Sequence, residues 1–182
     1  MNILQQPIPV SQWVEAFTNW VTDTFSGLFS VLQAIGNAIM NGMTDTLLFI
    51  PPLLFIVVIT IFTYLISKRK LGLPLLTLLG LLFVYNQGLW ENLMNTVTLV
   101  IVSSAISIII GIPLGIWMAK SNRVEAVIKP LLDFMQTMPA FVYLIPAVAF
   151  FGIGMVPGVF ASVIFALPPT VRFTNLAIRQ IP

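Results

Sequence analysis

Apolar residues run along the chain in blocks, and the polar residues between the blocks set the expected elements. Crossing a bilayer takes about 20 mostly apolar residues per helix. Five stretches qualify: 47–66 ("LLFIPPLLFIVVITIFTYLI"), about 71–87, 93–119, 132–154 ("LDFMQTMPAFVYLIPAVAFFGIG") and about 155–171. Residues 1–46 follow a different pattern. There Trp13, Phe17, Trp20, Leu28, Val31, Ile35 and Ile39 recur at steps near three and four, with one turn skipped at Thr24. Asn19, Asp23, Ser30 and Asn37 fall on other faces. That period predicts an amphipathic helix, broken at Gly27 or Gly36. Two placements suit it. It lies in the outer interface with both tryptophans at headgroup level, or it packs against the outer ends of the spans.

Composition agrees with this pattern. Of 182 residues, 58% are hydrophobic and 8% charged, with a mean hydropathy of +1.02. A soluble domain is about half apolar and a quarter charged, so this chain has too few polar side chains to cover a globule in water. The expected fold is all-α and polytopic: an amphipathic segment over 1–46, two transmembrane helices over 47–92, and three more over 93–182.

Charge gives those spans a direction. Lys68, Arg69 and Lys70 follow the first span, Lys120, Arg123 and Lys129 the third, and Arg172 and Arg179 the fifth. The intervening loops, around 86–91 and 152–156, carry none. All eight basic residues therefore fall on one side, which the positive-inside rule makes cytoplasmic, with the N-terminus outside. Residues 1–46 contain no Lys or Arg, which argues against binding an anionic cytoplasmic leaflet. The opening "MNILQQPIPV" lacks the basic n-region of a cleavable signal peptide.

The available chemistry is narrow. There is no Cys and no His, hence no disulfide, no thiolate metal site and no imidazole base. A net charge of +2 does not suggest nucleic acid. Of the six carboxylates only Asp133 reaches a predicted span, so paired acids at membrane depth are missing. No Walker-type loop occurs. These absences argue against an enzyme.

What the spans do hold is a cluster of costly groups. Pro113, Pro139, Pro146, Pro157, Pro168 and Pro169 lie in or beside the last three. In lipid, a carbonyl freed by proline is tolerated only where protein or a cavity satisfies it. Gly111 and Gly115, with Ser103, Ser104, Ala105 and Ser107, permit close helix contact on the third span. Polar Gln136 and Thr137 suit either interhelical hydrogen bonds or a transport pathway, and the whole cluster favours the pathway. The loop "KSNRVEAVIK" reads as a topology signal with a short amphipathic helix.

From Leu131 the chain reads "LLDFMQTMPAFVYLIPAVAFFGIGMVPGVFASVIFALPPTVRFTNLAIRQIP". Its "LDFMQTMPAFVYLIP" and "FALPPTVR" segments resemble the permease subunit of glycine betaine/proline betaine ABC importers, a bacterial osmoprotectant uptake system. Weaker similarity extends through "NTVTLVIVSSAISIIIGIPLGIWMAKS". The resemblance implies an importer type I membrane domain working by alternating access in the bacterial cell membrane. Its expected partners are an ABC ATPase subunit that consumes the ATP, an extracytoplasmic substrate-binding protein, a second permease copy and a quaternary ammonium substrate. It also implies a Glu-Ala-Ala coupling loop just beyond Pro182, so that the membrane domain represented here is C-terminally incomplete. No cofactor is expected in this chain.

A quaternary ammonium group neither donates nor accepts hydrogen bonds, and aromatic faces attract it by about 0.5–2 kcal/mol per ring. Gln136, Thr137, Met138, Phe141 and Tyr143 are therefore the expected pathway residues, with Pro139 and Pro146 bending their helix. Phe141 and Tyr143 lie two apart, about 200° on a regular helix, so they share a lumen only if the helix is distorted. Asp133 is expected to cap the helix N-terminus, where a carboxylate is favoured. Two other functions remain open: a gated osmolyte or ion channel, for which no filter signature is present, and a structural or assembly subunit.

Overall fold

The computed structural model describes residues 10–180, and helices are the only regular elements among them. In order they are α1 (Val10–Thr24), α2 (Ser26–Leu48), α3 (Pro52–Ile66), α4 (Gly72–Asn86), α5 (Trp90–Lys120), α6 (Asn122–Thr137), a 3-10 helix (Ala140–Tyr143), α7 (Leu144–Phe151) and α8 (Met155–Arg179). The all-α, polytopic expectation holds. By length and apolarity, α5 and α8 each suffice to cross a membrane, and the number rises to four if each of two bent helix pairs is one span. The chain packs as two compact units, Ala38–Val102 and the described residues on either side of it.

Within 38–102, α3 and α4 form a hairpin. The expected first span, 47–66, is not one helix: α2 ends at Leu48, α3 starts at Pro52, and their axes differ by 85°. The cause is the Pro51–Pro52 pair. Pro51 is extended (φ −54°, ψ 133°) and Pro52 sits at the first helical position, where a missing N–H costs nothing. At the other end of α3, Lys68 and Arg69 both adopt left-handed backbone, φ 51° and 64°. A residue with a Cβ pays about 1–2 kcal/mol for that. Ile56, Trp90 and Met94 form the core of this unit. Trp90 meets Phe55 and Tyr85 edge-on at 5.6 and 6.0 Å. Thr44 donates its hydroxyl to Thr98 Oγ1 at 3.0 Å, so two buried polar groups satisfy one another.

In the other unit, small residues decide the packing. Ser103, Ser107, Gly111 and Gly115 repeat every four residues on α5 and are all buried, whereas Ser104 and Ala105 are exposed. An ideal Cβ on Gly111 would lie 2.8 Å from Thr170 Cγ2; one on Gly115 would lie 2.7 Å from the Val171 carbonyl oxygen and 2.6 Å from Thr174 Cβ. The α5 and α8 backbones approach this closely because α5 carries no side chain there. Just beyond, Met118, Leu132 and Val171 bring α5, α6 and α8 into one core.

The amphipathic segment breaks at Phe25, between α1 and α2, and α2 passes Gly27 and Gly36 without interruption. The expected apolar stripe is outward: Trp13, Phe17, Trp20, Leu28, Val31, Ile35 and Ile39 are each more than half exposed. A different face of α2 packs. Phe29 stacks on Phe150 with centroids 4.9 Å apart, Gln33 Nε2 donates to the Phe151 carbonyl at 2.6 Å, and Gly36 lets Val156 approach. Gln33 thereby satisfies a carbonyl that the end of α7 leaves orphaned.

Gly115→Ala is expected to destabilise the protein by about 1–3 kcal/mol, because the new methyl meets backbone rather than a movable side-chain tip. Gly42, with nothing within 4 Å of an added Cβ, is the control. Gly42→Ala is expected to be neutral or to stabilise by up to about 1 kcal/mol through helix propensity. Thermal unfolding in detergent reads both, and equal midpoints for the two variants would refute the close α5–α8 contact.

Candidate functional site

The stretch 132–154 is a broken element, not the single helix expected for the fourth span. α6 ends at Thr137, the chain runs extended through Met138 (φ −86°, ψ 136°) and Pro139 (φ −58°, ψ 139°), and the 3-10 helix and α7 follow. Pro139 is the local cause. It has no N–H to donate, and its ring pushes Met138 out of helical geometry. The axes on either side differ by 98°. Pro146 is the third residue of α7. In the first turn of a helix it removes no intrahelical donor bond, so the turn of the chain lies at Met138–Pro139. Gly152 closes α7 with φ 72°, ψ −166°, a conformation open to glycine, and its N–H donates to the Val148 carbonyl at 2.8 Å.

The predicted site residues divide around this break. Gln136, Thr137, Pro139 and Phe141 are exposed, with Phe141 at 69%, while Met138 and Tyr143 are half-buried. Thr137 donates back to the Phe134 carbonyl at 2.8 Å. Tyr143 folds across the break, and its hydroxyl donates to the Met135 carbonyl at 2.7 Å. A buried phenol normally finds such a partner, and here it ties the 3-10 helix to the last turn of α6. Phe141 and Tyr143 thus point to different surroundings, as their spacing on a 3-10 helix requires.

The polar groups bracing this element lie between α6 and α8. Asp133 does not cap a helix. α6 begins at Asn122, where Ser121 is the N-cap, its Oγ accepting from the Val124 N–H at 3.4 Å. "KSNRVEAVIK" runs directly into that helix, which leaves Asp133 far from its start. Asp133 instead pairs with Arg172. The expected fifth span, 155–171, continues to Arg179, so Arg172 lies within α8. Nearer the end of α8, Arg179 reaches Glu125 Oε2 at 2.8 Å, Asn122 Oδ1 at 2.9 Å, Asn175 Oδ1 at 3.1 Å and the Met118 carbonyl at 3.1 Å. Asn175 also donates to Glu125 Oε1 at 3.2 Å.

Sequence reasoning missed this brace, although a signal was present. Glu125 and Asp133 stand two helical turns apart on α6, as do Arg172 and Arg179 on α8, with opposite sign and antiparallel order.

The broken, proline-marked element is thus held against α8 by matched charges, and the sequence that forms it matches known proteins. Residues 111–182 match the family described as "Binding-protein-dependent transport system inner membrane component". Similarity continues upstream. Over 176 residues, 96% of this chain, the sequence is 52% identical to the "Glycine betaine/carnitine transport permease protein GbuB" of Listeria monocytogenes serotype 1/2a (strain 10403S).

Residues 111–182 carry this family's inner membrane component, and most of the chain is similar to these permeases.

The chain is also similar to the "Glycine betaine transport system permease protein OpuAB" of Bacillus subtilis (strain 168), 45% identical, and the "Glycine betaine/proline betaine transport system permease protein ProW" of Escherichia coli (strain K12), 43% identical. Each of these matches covers 96% of this chain. The chain spans 62%, 61% and 49% of the three relatives' lengths, in the order named. The family region takes in the second half of the small-residue stripe on α5, the α6–α8 brace and the whole broken element. α1 to α4, outside it, are covered by similarity to the permeases themselves.

Arg179→Gln is expected to cost about 1–3 kcal/mol, since it leaves Glu125 with Asn175 in place of a cation and removes the bonds to Asn122 and Met118. Arg172→Gln breaks a half-exposed pair and is expected to cost about 0.2–1 kcal/mol. Paired with Asp133→Asn in a double-mutant cycle, it should show coupling of that same order. A larger loss at Arg172 than at Arg179, measured by thermal unfolding in detergent, would reverse this ranking.

Proposed function

We propose that this chain is the membrane permease component of an ATP-driven importer for glycine betaine or a related quaternary ammonium osmoprotectant. The observation that carries the reading is 52% identity to a glycine betaine/carnitine permease over 96% of the chain. ATP is bound and hydrolysed by a partner ATPase, an extracytoplasmic protein delivers the substrate, and a second permease copy completes the passage. The N-terminus lies outside a bacterial cell membrane and Pro182 lies on the cytoplasmic side. The gathering of all eight basic residues at one end of the spans supports that orientation.

The broken element is the moving part of the passage in this reading. Gln136, Thr137 and Phe141 border the substrate's route, and their exposure beside a helix break supports the assignment. Phe141 offers a free aromatic face to the trimethylammonium group. Tyr143 has its hydroxyl engaged with Met135 and acts on the break rather than on the substrate. Met138 and Pro139 form the joint. Pro146 starts α7 in the orientation that the joint sets. Such a site binds weakly, because tight binding would slow release.

The test is uptake of radiolabelled glycine betaine into proteoliposomes holding the intact transporter with its ATPase and binding protein. Phe141→Ala is expected to lower uptake by about 2- to 30-fold, the range that loss of one cation–π contact allows. Phe141→Tyr is expected to retain most of it. Unchanged uptake by Phe141→Ala removes that residue from the passage. No ATP-dependent uptake of any quaternary ammonium solute by an assembled complex overturns the substrate, and passive conductance favours a channel.

A further inference from the structure

We propose that the α3–α4 hairpin binds one anionic phospholipid, its headgroup held by Lys68, Arg69 and Lys70 and one acyl chain lying in the cleft between the two helices. The proposal rests on residues 38–102 and is independent of the transport reading.

The cleft has a volume of about 370 Å³ and is lined by Thr60, Ile61, Tyr64, Pro74, Leu75 and Leu78, with Leu71 at the turn. Its surface is hydrocarbon in character, since Thr60 spends its hydroxyl on the Ile56 carbonyl at 2.7 Å. Tyr64 and Leu71 flank the basic turn, and Leu78 lies about two helical turns further along α4. The cleft therefore runs lengthwise from the charges into the apolar part of the hairpin. A tail with a negative head matches that order.

The charge is uncompensated by the protein. Lys68, Arg69 and Lys70 are exposed and carry no ion pair among the described residues. No Asp or Glu occurs between Asp45 and Glu91, so neither helix supplies a counter-charge. Basic groups next to a membrane span attract anionic headgroups.

The backbone points the same way. Lys68 and Arg69 occupy consecutive left-handed positions, where glycine would be unstrained. Strained positions of this kind gather at ligand clamps. The turn is tied by the Arg69 N–H to the Tyr64 carbonyl at 3.2 Å and the Lys70 N–H to the Ser67 carbonyl at 3.1 Å. With those N–H groups engaged, side chains are left to meet the anion. A zwitterionic lipid would fill the cleft but leave three cations unmatched, and a soluble anion would leave the cleft empty. The competing role for the triplet, complementing the C-terminal end of α3 and fixing topology, requires no lipid preference.

The full chain would be reconstituted in vesicles of phosphatidylglycerol and phosphatidylcholine, extracted gently, and its retained lipid identified by native mass spectrometry. Wild type is expected to enrich phosphatidylglycerol roughly tenfold, and the enrichment should fall severalfold in 1 M salt, a readout that needs no mutation. Lys68→Gln/Arg69→Gln/Lys70→Gln should bring the preference near unity while keeping a bound lipid. Leu75→Trp, which fills the cleft, should retain fewer lipids of both kinds. Both variants are checked for unchanged helicity and elution. Absence of enrichment in wild type, preference surviving the triple change, or displacement of phosphatidylglycerol by millimolar inorganic phosphate would each overturn the proposal.

Discussion

Everything in the larger unit depends on how closely α8 can approach α5. In water, hydrophobic burial would press two helices together. In lipid that force is absent between helices, and close packing of backbones and side chains takes its place. Ser103, Ser107, Gly111 and Gly115 give α5 a flat strip, and Thr170, Val171 and Thr174 of α8 lie on its glycine end. That contact fixes α8, and α6 joins both helices through Met118, Leu132 and Val171. The charge pairs then hold α6 and α8 in register. The break at Met138–Pro139 follows directly on this braced end of α6.

Many of the costly polar groups in this apolar chain are matched by a partner, although the buried Trp90 Nε1 and Arg172 Nε have none among the described residues. Gln33 answers the carbonyl at the end of α7, Tyr143 answers Met135 across the break, and Thr44 answers Thr98 in the smaller unit. At the break itself Gln136 and Phe141 are exposed.

Much of this was legible in the sequence, for identifiable reasons. α4 and α5 agree in their bounds with the predicted stretches within a few residues and α8 starts where expected, although α4, at 15 residues, is shorter than the helices that suffice to cross a membrane. The glycines of α5 announced a close contact because small residues four apart share one face. Other features were hidden. Averaged hydropathy runs through Pro51–Pro52 and Pro139 without registering that each stops a helix. On α2, the most hydrophobic stripe was the natural candidate for packing, yet Phe29, Gln33 and Gly36 pack instead, since a lipid-facing stripe is as apolar as a core one. The Asp133–Arg172 pair joins residues 39 apart, and local periodicity cannot supply such a partner.

The α5–α8 contact is the claim on which the rest stands, and the chain's lack of cysteine makes it directly testable. A Cβ on Gly111 would lie 3.0 Å from Thr170 Cβ, shorter than the usual disulfide spacing of about 3.5–4.5 Å, so a bridge needs the helices to part by only about half an ångström. Gly111→Cys/Thr170→Cys would be oxidised in the membrane beside Gly111→Cys/Phe173→Cys, whose second position is 70% exposed. Fast cross-linking of the first pair and none of the second is the predicted result. Equal cross-linking of both pairs, or of neither, would contradict the packing described.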